Sequence, residues 1–199
     1  MCRVTGDWLA DGRAELASER ILDAVRALFI DKGVSGVGMA EVAEAAGCSR
    51  ATLYRYFDNR QALYVAFAGR EARKVVERVW RDGAVGAATE PGEQLLDGLT
   101  ALLAEVRKTP YLAVWFAPDN AGIVAQLSNS SEVVDALATN FVSGFRPDLA
   151  TRAAQRLGQW FVRVMVSLLT LPGADEAEER AMLRNFALPF LLDQRITIE

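Results

Sequence analysis

Between Ser49 and Arg60 the chain gathers side chains that suit the surface of a polyanion. Arg50, Tyr54, Arg55 and Tyr56 place two guanidinium groups and two phenols within seven residues. A guanidinium forks onto O6 and N7 of a guanine in the major groove, which suits Arg50 and Arg55, and a methyl group such as that of Ala51 can touch a thymine methyl. The hydroxyls of Thr52, Tyr54 and Tyr56 can donate to phosphate oxygens, and Arg60 adds charge just beyond them. Ser49 stands where it can cap the helix that carries these groups, and it completes the set expected to face DNA. From Ser49 to Arg60 three arginines meet one acid, Asp58, a local charge of +2 in a chain whose net charge is −4. A basic footprint on nucleic acid must therefore be a local patch here, not a property of the whole protein.

Those side chains need a short helix held against a second one. The spacing predicts a helix from about Met39 to Ala46, a turn at Gly47 and a helix from about Arg50 to Tyr56. In a helix-turn-helix the first helix needs a small residue at the crossing, here Ala43. The turn needs a residue that tolerates left-handed backbone, here Gly47. The second helix returns an apolar residue, here Leu53, and its outer face enters the major groove. A packed corner with no DNA role is the plainer reading of that bare spacing, but the arginines and tyrosines on so short a helix weigh against it.

The run Ser49-Arg50-Ala51-Thr52-Leu53-Tyr54-Arg55-Tyr56-Phe57, then Asp58-Asn59-Arg60-Gln61-Ala62-Leu63, preceded by Val42-Ala43-Glu44-Ala45-Ala46-Gly47-Cys48, resembles the signature of the tetracycline-repressor (TetR) family. The specific likeness runs from about Ile21 to Phe67. It implies a three-helix DNA-binding domain, a C-terminal domain that binds a small effector, and a homodimer built on the last two helices. It also implies repression of a palindromic double-stranded DNA operator, relieved by the effector. By position, the family's base contacts fall on Arg50, Ala51 and Arg55, and its phosphate contacts on Thr52, Tyr54, Tyr56 and Arg60. One departure stands out: Gly38-Met39 occupies the place where the family usually has Thr or Ser, which removes a hydroxyl contact to phosphate.

The rest of the chain reads as all-α. Expected helices are Glu15–Lys32, Arg60–Arg81, Glu93–Lys108, Pro110–Phe116, Ala121–Leu127, Ser131–Phe145, Pro147–Leu171 and Ala174–Asp193, with glycine-rich 33–38 and the stretch 83–92 as loops. A helix-turn-helix domain is expected over 1–64, with 1–13 as a flexible arm, and an effector-binding and dimerisation domain over 65–199. From Thr109 to Phe145 there are three acids, no Lys and no Arg. With Phe161 and Met165, the aromatics Tyr111, Trp115, Phe116 and Phe141 suit a small apolar effector, although each taken alone is more often core. Leu157, Trp160, Val164, Leu168 and Leu171 make a near-heptad stripe that suits a partner subunit. Arg163, the single charge between Gln159 and Leu171, could pair with an acid at that seam, reach solvent or meet an anionic ligand.

Other classes of function are disfavoured. The absence of histidine removes His-based triads, His general bases and His metal ligands together. Cys2 and Cys48 fit no metal or redox spacing and suit a reducing cytoplasm, so no metal and no cofactor are expected. No apolar run approaches the roughly 20 residues of a membrane span, and no h-region marks the first residues, so no membrane role is expected. An enzyme using Asp119 with Glu132 or Asp135 in a helical pocket, and a helical protein-interaction module without a DNA role, are the alternatives. No spacing singles out a carboxylate pair, and an interaction helix would more often carry an apolar stripe where this one carries arginines.

Overall fold

The computed structural model describes residues 8–81, 90–128, 130–196 and 198, and every regular element among them is helical. The elements are α1 (Trp8–Lys32), α2 (Met39–Ala45), α3 (Arg50–Tyr56), α4 (Arg60–Arg81), α5 (Pro91–Lys108), α6 (Pro110–Ala113), α7 (Ala121–Ser128), α8 (Glu132–Phe145), α9 (Thr151–Thr170), α10 (Glu176–Met182) and α11 (Leu188–Leu192). The chain divides into two compact units, Met1–Phe67 and Ala68–Glu199. The division falls inside α4, three residues beyond the expected 64/65.

In the first unit α1 packs on α2, and α2 on α3. Ile21, Leu22, Val25 and Phe29 of α1 meet Val42, Ala43, Leu53, Leu63 and Phe67 in a buried core. Phe29 sets its ring edge-on to Tyr64 and Phe67, at centroid distances of 5.3 and 5.1 Å. α1 begins at Trp8, so the expected arm over 1–13 gives way to helix for 8–13, while 1–7 lie outside the described residues. No proline interrupts that stretch, and Gly12 alone costs only about 1 kcal/mol relative to Ala.

In the second unit the core is built from Leu95, Leu96, Leu99 and Leu103 of α5, Val142 of α8, Ala154, Leu157, Phe161 and Leu168 of α9, and Leu183, Leu188 and Leu191. α8 and α9 approach so closely that a Cβ on Gly158 would lie 2.9 Å from the backbone carbon of Ala138. Prolines reshape two expected helices, and an ion-paired turn shortens a third. The expected Pro110–Phe116 helix is α6 followed by a 3-10 turn at Val114–Phe116, and a second 3-10 turn opens at Pro118. Ala117 is extended (φ −62°, ψ 146°), as the residue before a proline prefers. α9 starts at Thr151 and not at Pro147, because Arg146 and Asp148 fold the chain into an ion-paired turn. The expected helix over Ala174–Asp193 is α10, a π turn at Leu183–Ala187, then α11. Pro189 has no N–H to give to the carbonyl of Asn185 and its ring crowds that carbonyl, so the helix widens there.

A polar tie joins three of these helices. Arg107 of α5 forks onto the buried Glu179 of α10 at 2.6 and 2.7 Å and also donates to the Leu168 carbonyl near the end of α9 at 2.9 Å. Gly173 N–H donates to the same carboxylate at 2.9 Å. The Arg107 guanidinium holds the Glu179 carboxyl below its ordinary value, with the Gly173 amide helping. A carboxyl lowered on folding stabilises the fold above its unfolded value of about 4.3 and loses that contribution as pH falls through its folded value. Glu179→Gln is therefore expected to cost about 2 kcal/mol at neutral pH and to flatten the acid limb of stability below about pH 4.5. Urea titrations of both proteins from neutral to acid pH check this; parallel acid limbs would remove Glu179 as the titrating group.

Candidate nucleic-acid interface

The turn that sets the two short helices is closed by backbone alone. Cys48 N–H donates to the Ala43 carbonyl at 2.9 Å and Gly47 N–H to the Glu44 carbonyl at 3.0 Å, the paired bonds of a Schellman ending. That ending needs left-handed backbone at Gly47, and its φ is +66°. Cys48 is a half-buried free thiol in this turn. Ser49 then caps α3, its Oγ accepting from Thr52 N–H at 3.0 Å. Leu53 is fully buried and pins α3 against α2. Asn59 caps α4 in the same way, accepting from Ala62 N–H at 2.9 Å.

What these contacts leave outside is the face predicted from sequence. Ser49, Arg50, Ala51, Tyr54, Arg55 and Arg60 are exposed, and Thr52 and Tyr56 are half-buried. Tyr54 is 47% exposed, unusual for a residue with so much apolar surface. The guanidinium of Arg55 stacks over the Tyr56 ring at 5.3 Å. The Thr52 hydroxyl lies 2.9 Å from that of Ser49, so it reaches outward as part of a hydroxyl pair. At the start of α2, Gly38 does more than replace a hydroxyl. Its N–H donates to Glu41 Oε2 at 2.9 Å, and Glu41 pairs with Lys32, so a carboxylate from the same chain occupies that helix end. The hydrogen bond to Lys32 holds Glu41 below its ordinary carboxyl value.

A basic, hydroxyl-rich helix face held on a capped helix-turn-helix is a nucleic-acid-binding device, and known proteins share it. Residues 21–67 match the family of bacterial regulatory proteins known as the tetR family. The HTH-type transcriptional regulator MT1294 of Mycobacterium tuberculosis is 44% identical over 185 residues, covering 93% of this chain and 90% of that protein. The chain belongs to the TetR family. This TetR-family protein is also similar to the transcriptional repressor KstR of Mycobacterium tuberculosis, 33% identical over 127 residues, 60% of this chain and 56% of that one. Among solved structures, Thermus thermophilus FadR, a TetR-family repressor in complex with lauroyl-CoA, superposes with a TM-score of 0.58 at 24% identity, covering 92% of this chain and 96% of that chain. The protein is a DNA-binding transcriptional regulator, not an enzyme. Among the described residues no helix is long and apolar enough to cross a membrane.

The residues expected to meet an effector fall into two groups in the second unit. Phe141, Phe161 and Met165 pack around the α8–α9 core, with the Phe141 and Phe161 rings 6.3 Å apart. Tyr111, Trp115 and Phe116 lie on α6 and the 3-10 turn after it, which touches α7 and α9. Trp115 is buried, and the Tyr111 hydroxyl donates to Glu71 of α4 at 3.1 Å. Glu71 and its neighbour Arg70 form a buried ion pair at 2.8 Å. Sequence reading passed over both, because a charged pair inside an amphipathic helix looks like its solvent face. It also passed over Asn120, whose side chain is 5% exposed. Asn120 Nδ2 donates to the Val114 carbonyl at 2.8 Å, while its Oδ1 is buried with no hydrogen-bond partner. In Pro-Asp-Asn that residue reads simply as a turn.

The stripe expected at a partner subunit is divided by the structure. Leu157 and Leu168 turn into the subunit's own core, Trp160 and Val164 are half-buried, and Leu171 is 75% exposed. Arg163 lies at the surface. The exposed apolar surface continues from the end of α10 through the π turn onto α11, where Met182, Phe186 and Phe190 are 39%, 69% and 37% exposed. A plain α-helix would turn such a four-residue series by roughly 40° at each step, and the π turn between them works against that drift. Trp160 and Phe190 touch, with ring centroids 5.4 Å apart, joining the two surfaces. The end of α11 is held by Arg146, which is almost wholly buried. It forks onto Asp148 and donates to the carbonyls of Phe190 at 2.8 Å and Ile196 at 3.0 Å. A cation on the last carbonyls of a helix is favourably placed against the helix dipole.

Proposed function

We propose that this protein acts in the cytoplasm as a homodimeric repressor of a palindromic operator, released by a small, largely apolar effector. The single observation that carries the DNA half is the exposed face of α3, continued by Arg60 at the start of α4; in this reading Arg50, Ala51 and Arg55 contact bases, and Thr52, Tyr54, Tyr56 and Arg60 contact phosphates. Two copies joined through Trp160, Val164, Leu171, Met182, Phe186 and Phe190 would present two such faces to half-sites about 34 Å, or a multiple of it, apart. Selection from a random duplex pool tests this: the enriched sites should be inverted repeats, and a single unrepeated site would overturn the dimeric reading.

The effector half is supported by the cation-free segment Thr109–Phe145 and by the fate of the bases at its edge. Arg107 is engaged by Glu179, and Lys108 lies 3.1 Å from Glu105. A strongly anionic ligand would have to compete for them. A 100-fold loss of operator affinity requires about 2.7 kcal/mol of coupling, and bound operator must weaken the effector equally. Neutral lipophiles that raise the melting temperature can be titrated into the protein alone and into its operator complex by Trp115 or Trp160 fluorescence. Equal affinity in both titrations means the ligand is no inducer, and a tight, highly charged hydrophilic effector would overturn the apolar reading.

A further inference from the structure

We propose that Tyr64 is a positioning residue for operator binding: its ring seats the Arg60 guanidinium so that it meets a backbone phosphate in a fixed pose. The inference rests on the reading of Arg60 as a phosphate contact. Arg60 opens α4 with its side chain exposed, where a guanidinium would ordinarily sample many rotamers and lose that freedom on binding. Here its central carbon lies 5.7 Å from the centroid of the Tyr64 ring, inside the range of about 6 Å for a cation over an aromatic face. One of its N–H groups also reaches the Ser35 carbonyl at 3.5 Å, a long bond. Its remaining donors stay available for the forked contact that guanidinium makes with phosphate.

The seat is itself immobilised. Tyr64 is 2% exposed. Its hydroxyl lies 2.6 Å from the Val34 carbonyl and 3.1 Å from the Val37 carbonyl, and its ring edge rests on Phe29. Val34, Ser35 and Val37 belong to one glycine-rich loop between α1 and α2. The loop that anchors the phenol therefore also offers the carbonyl that touches Arg60, and seat and side contact move together. On its outer side the loop is braced by Lys32 and Glu41. Among the described residues Arg50 and Arg55 of α3 have no such double support: Arg55 stacks on the half-buried Tyr56 alone.

The experiment measures binding to the duplex that the wild-type protein selects from a random pool, across a series of salt concentrations. The proteins are wild type, Arg60→Ala, Tyr64→Phe, Tyr64→Leu and the two double variants that add Arg60→Ala. Arg60→Ala is expected to lower the salt slope by about one per subunit. Tyr64→Leu removes the seat and is expected to weaken binding roughly three- to ten-fold and to lower the slope in the same way. Arg60→Ala should then cost nothing further in the Tyr64→Leu background. Tyr64→Phe keeps the ring, so it should lower the melting temperature yet leave the full Arg60→Ala penalty in place. Additive penalties for Tyr64→Leu and Arg60→Ala would overturn the proposal. An unchanged slope in Arg60→Ala would instead overturn the phosphate reading beneath it. Should Tyr64→Leu fail to fold, the side-chain 15N order parameter of Arg60 Nε in the free wild-type protein decides. A value well above that of Arg50 supports the seat, and a value as low as that of Arg50 overturns it.

Discussion

Phe186→Glu is expected to release monomers and to reduce operator affinity by at least two orders of magnitude. Phe186 is 69% exposed and takes no part in the buried core of its own subunit, so the variant should fold and melt cooperatively. In the proposed dimer the same position lies between Met182 and Phe190, where a carboxylate would be desolvated without a partner. Burying an unpaired charge costs several kcal/mol, and the charge appears on both subunits of a two-fold interface. Loss of the dimer leaves one half-site contact where there were two, which is why the operator affinity falls so far. Leu168→Glu, the substitution that the heptad stripe alone would suggest, is a poor test: Leu168 is buried against the core of its own subunit and the charge would unfold it. Sedimentation of Phe186→Glu at micromolar concentration checks the prediction. A dimer as tight as wild type would remove this face from the interface.

The contrast between Leu168 and Phe186 marks what the amino-acid order could and could not reveal. The helix-turn-helix was legible because its parts are local: Ala43, Gly47, Ser49 and Leu53 lie within eleven consecutive residues. The outward face of α3 followed from helical periodicity alone. The C-terminal helices were legible as helices and not as faces. α9 is apolar on several sides, so its sequence does not say which side meets its own subunit, and Leu157 and Leu168 turned inward while Leu171 stayed out. The C-terminal segment hid its face in the same way: Met182, Phe186 and Phe190 share one helix face by their four-residue spacing, but Leu183, Ala187 and Leu191 repeat that spacing one position on, and the sequence does not say which row is buried. Buried polar groups were the least legible. Arg146 reads as a loop arginine, and only the long-range meeting with the carbonyls of Phe190 and Ile196 makes it structural. Glu71 needed Tyr111, forty residues away, to appear as more than a surface charge.

Arg50→Ala and Arg55→Ala are expected to change which sequences are bound, while Tyr54→Phe should weaken all sequences alike. Both arginines are exposed on α3 beside Ala51, the side chain assigned to a thymine methyl. A bidentate guanidinium–guanine contact discriminates by about 1–3 kcal/mol, and a two-fold dimer makes it twice, so about 2–6 kcal/mol is at stake for each arginine. That is roughly 30-fold to more than 10,000-fold against the selected operator. Nonspecific duplex should lose far less, because phosphate attraction supplies its affinity. The two arginines should also differ from each other. Arg55 is partly held by the Tyr56 ring and enters the groove with less freedom to lose, so its removal should cost more than that of Arg50. Tyr54 touches only phosphate in this reading, and its loss should shift every duplex by a similar small factor. Repeating the random-pool selection with each variant reads all of this at once. Relaxed preference at one position per half-site, with the remaining positions intact, is the expected result for either arginine. A uniform loss for the arginine and tyrosine variants together would mean that α3 does not read bases with these side chains.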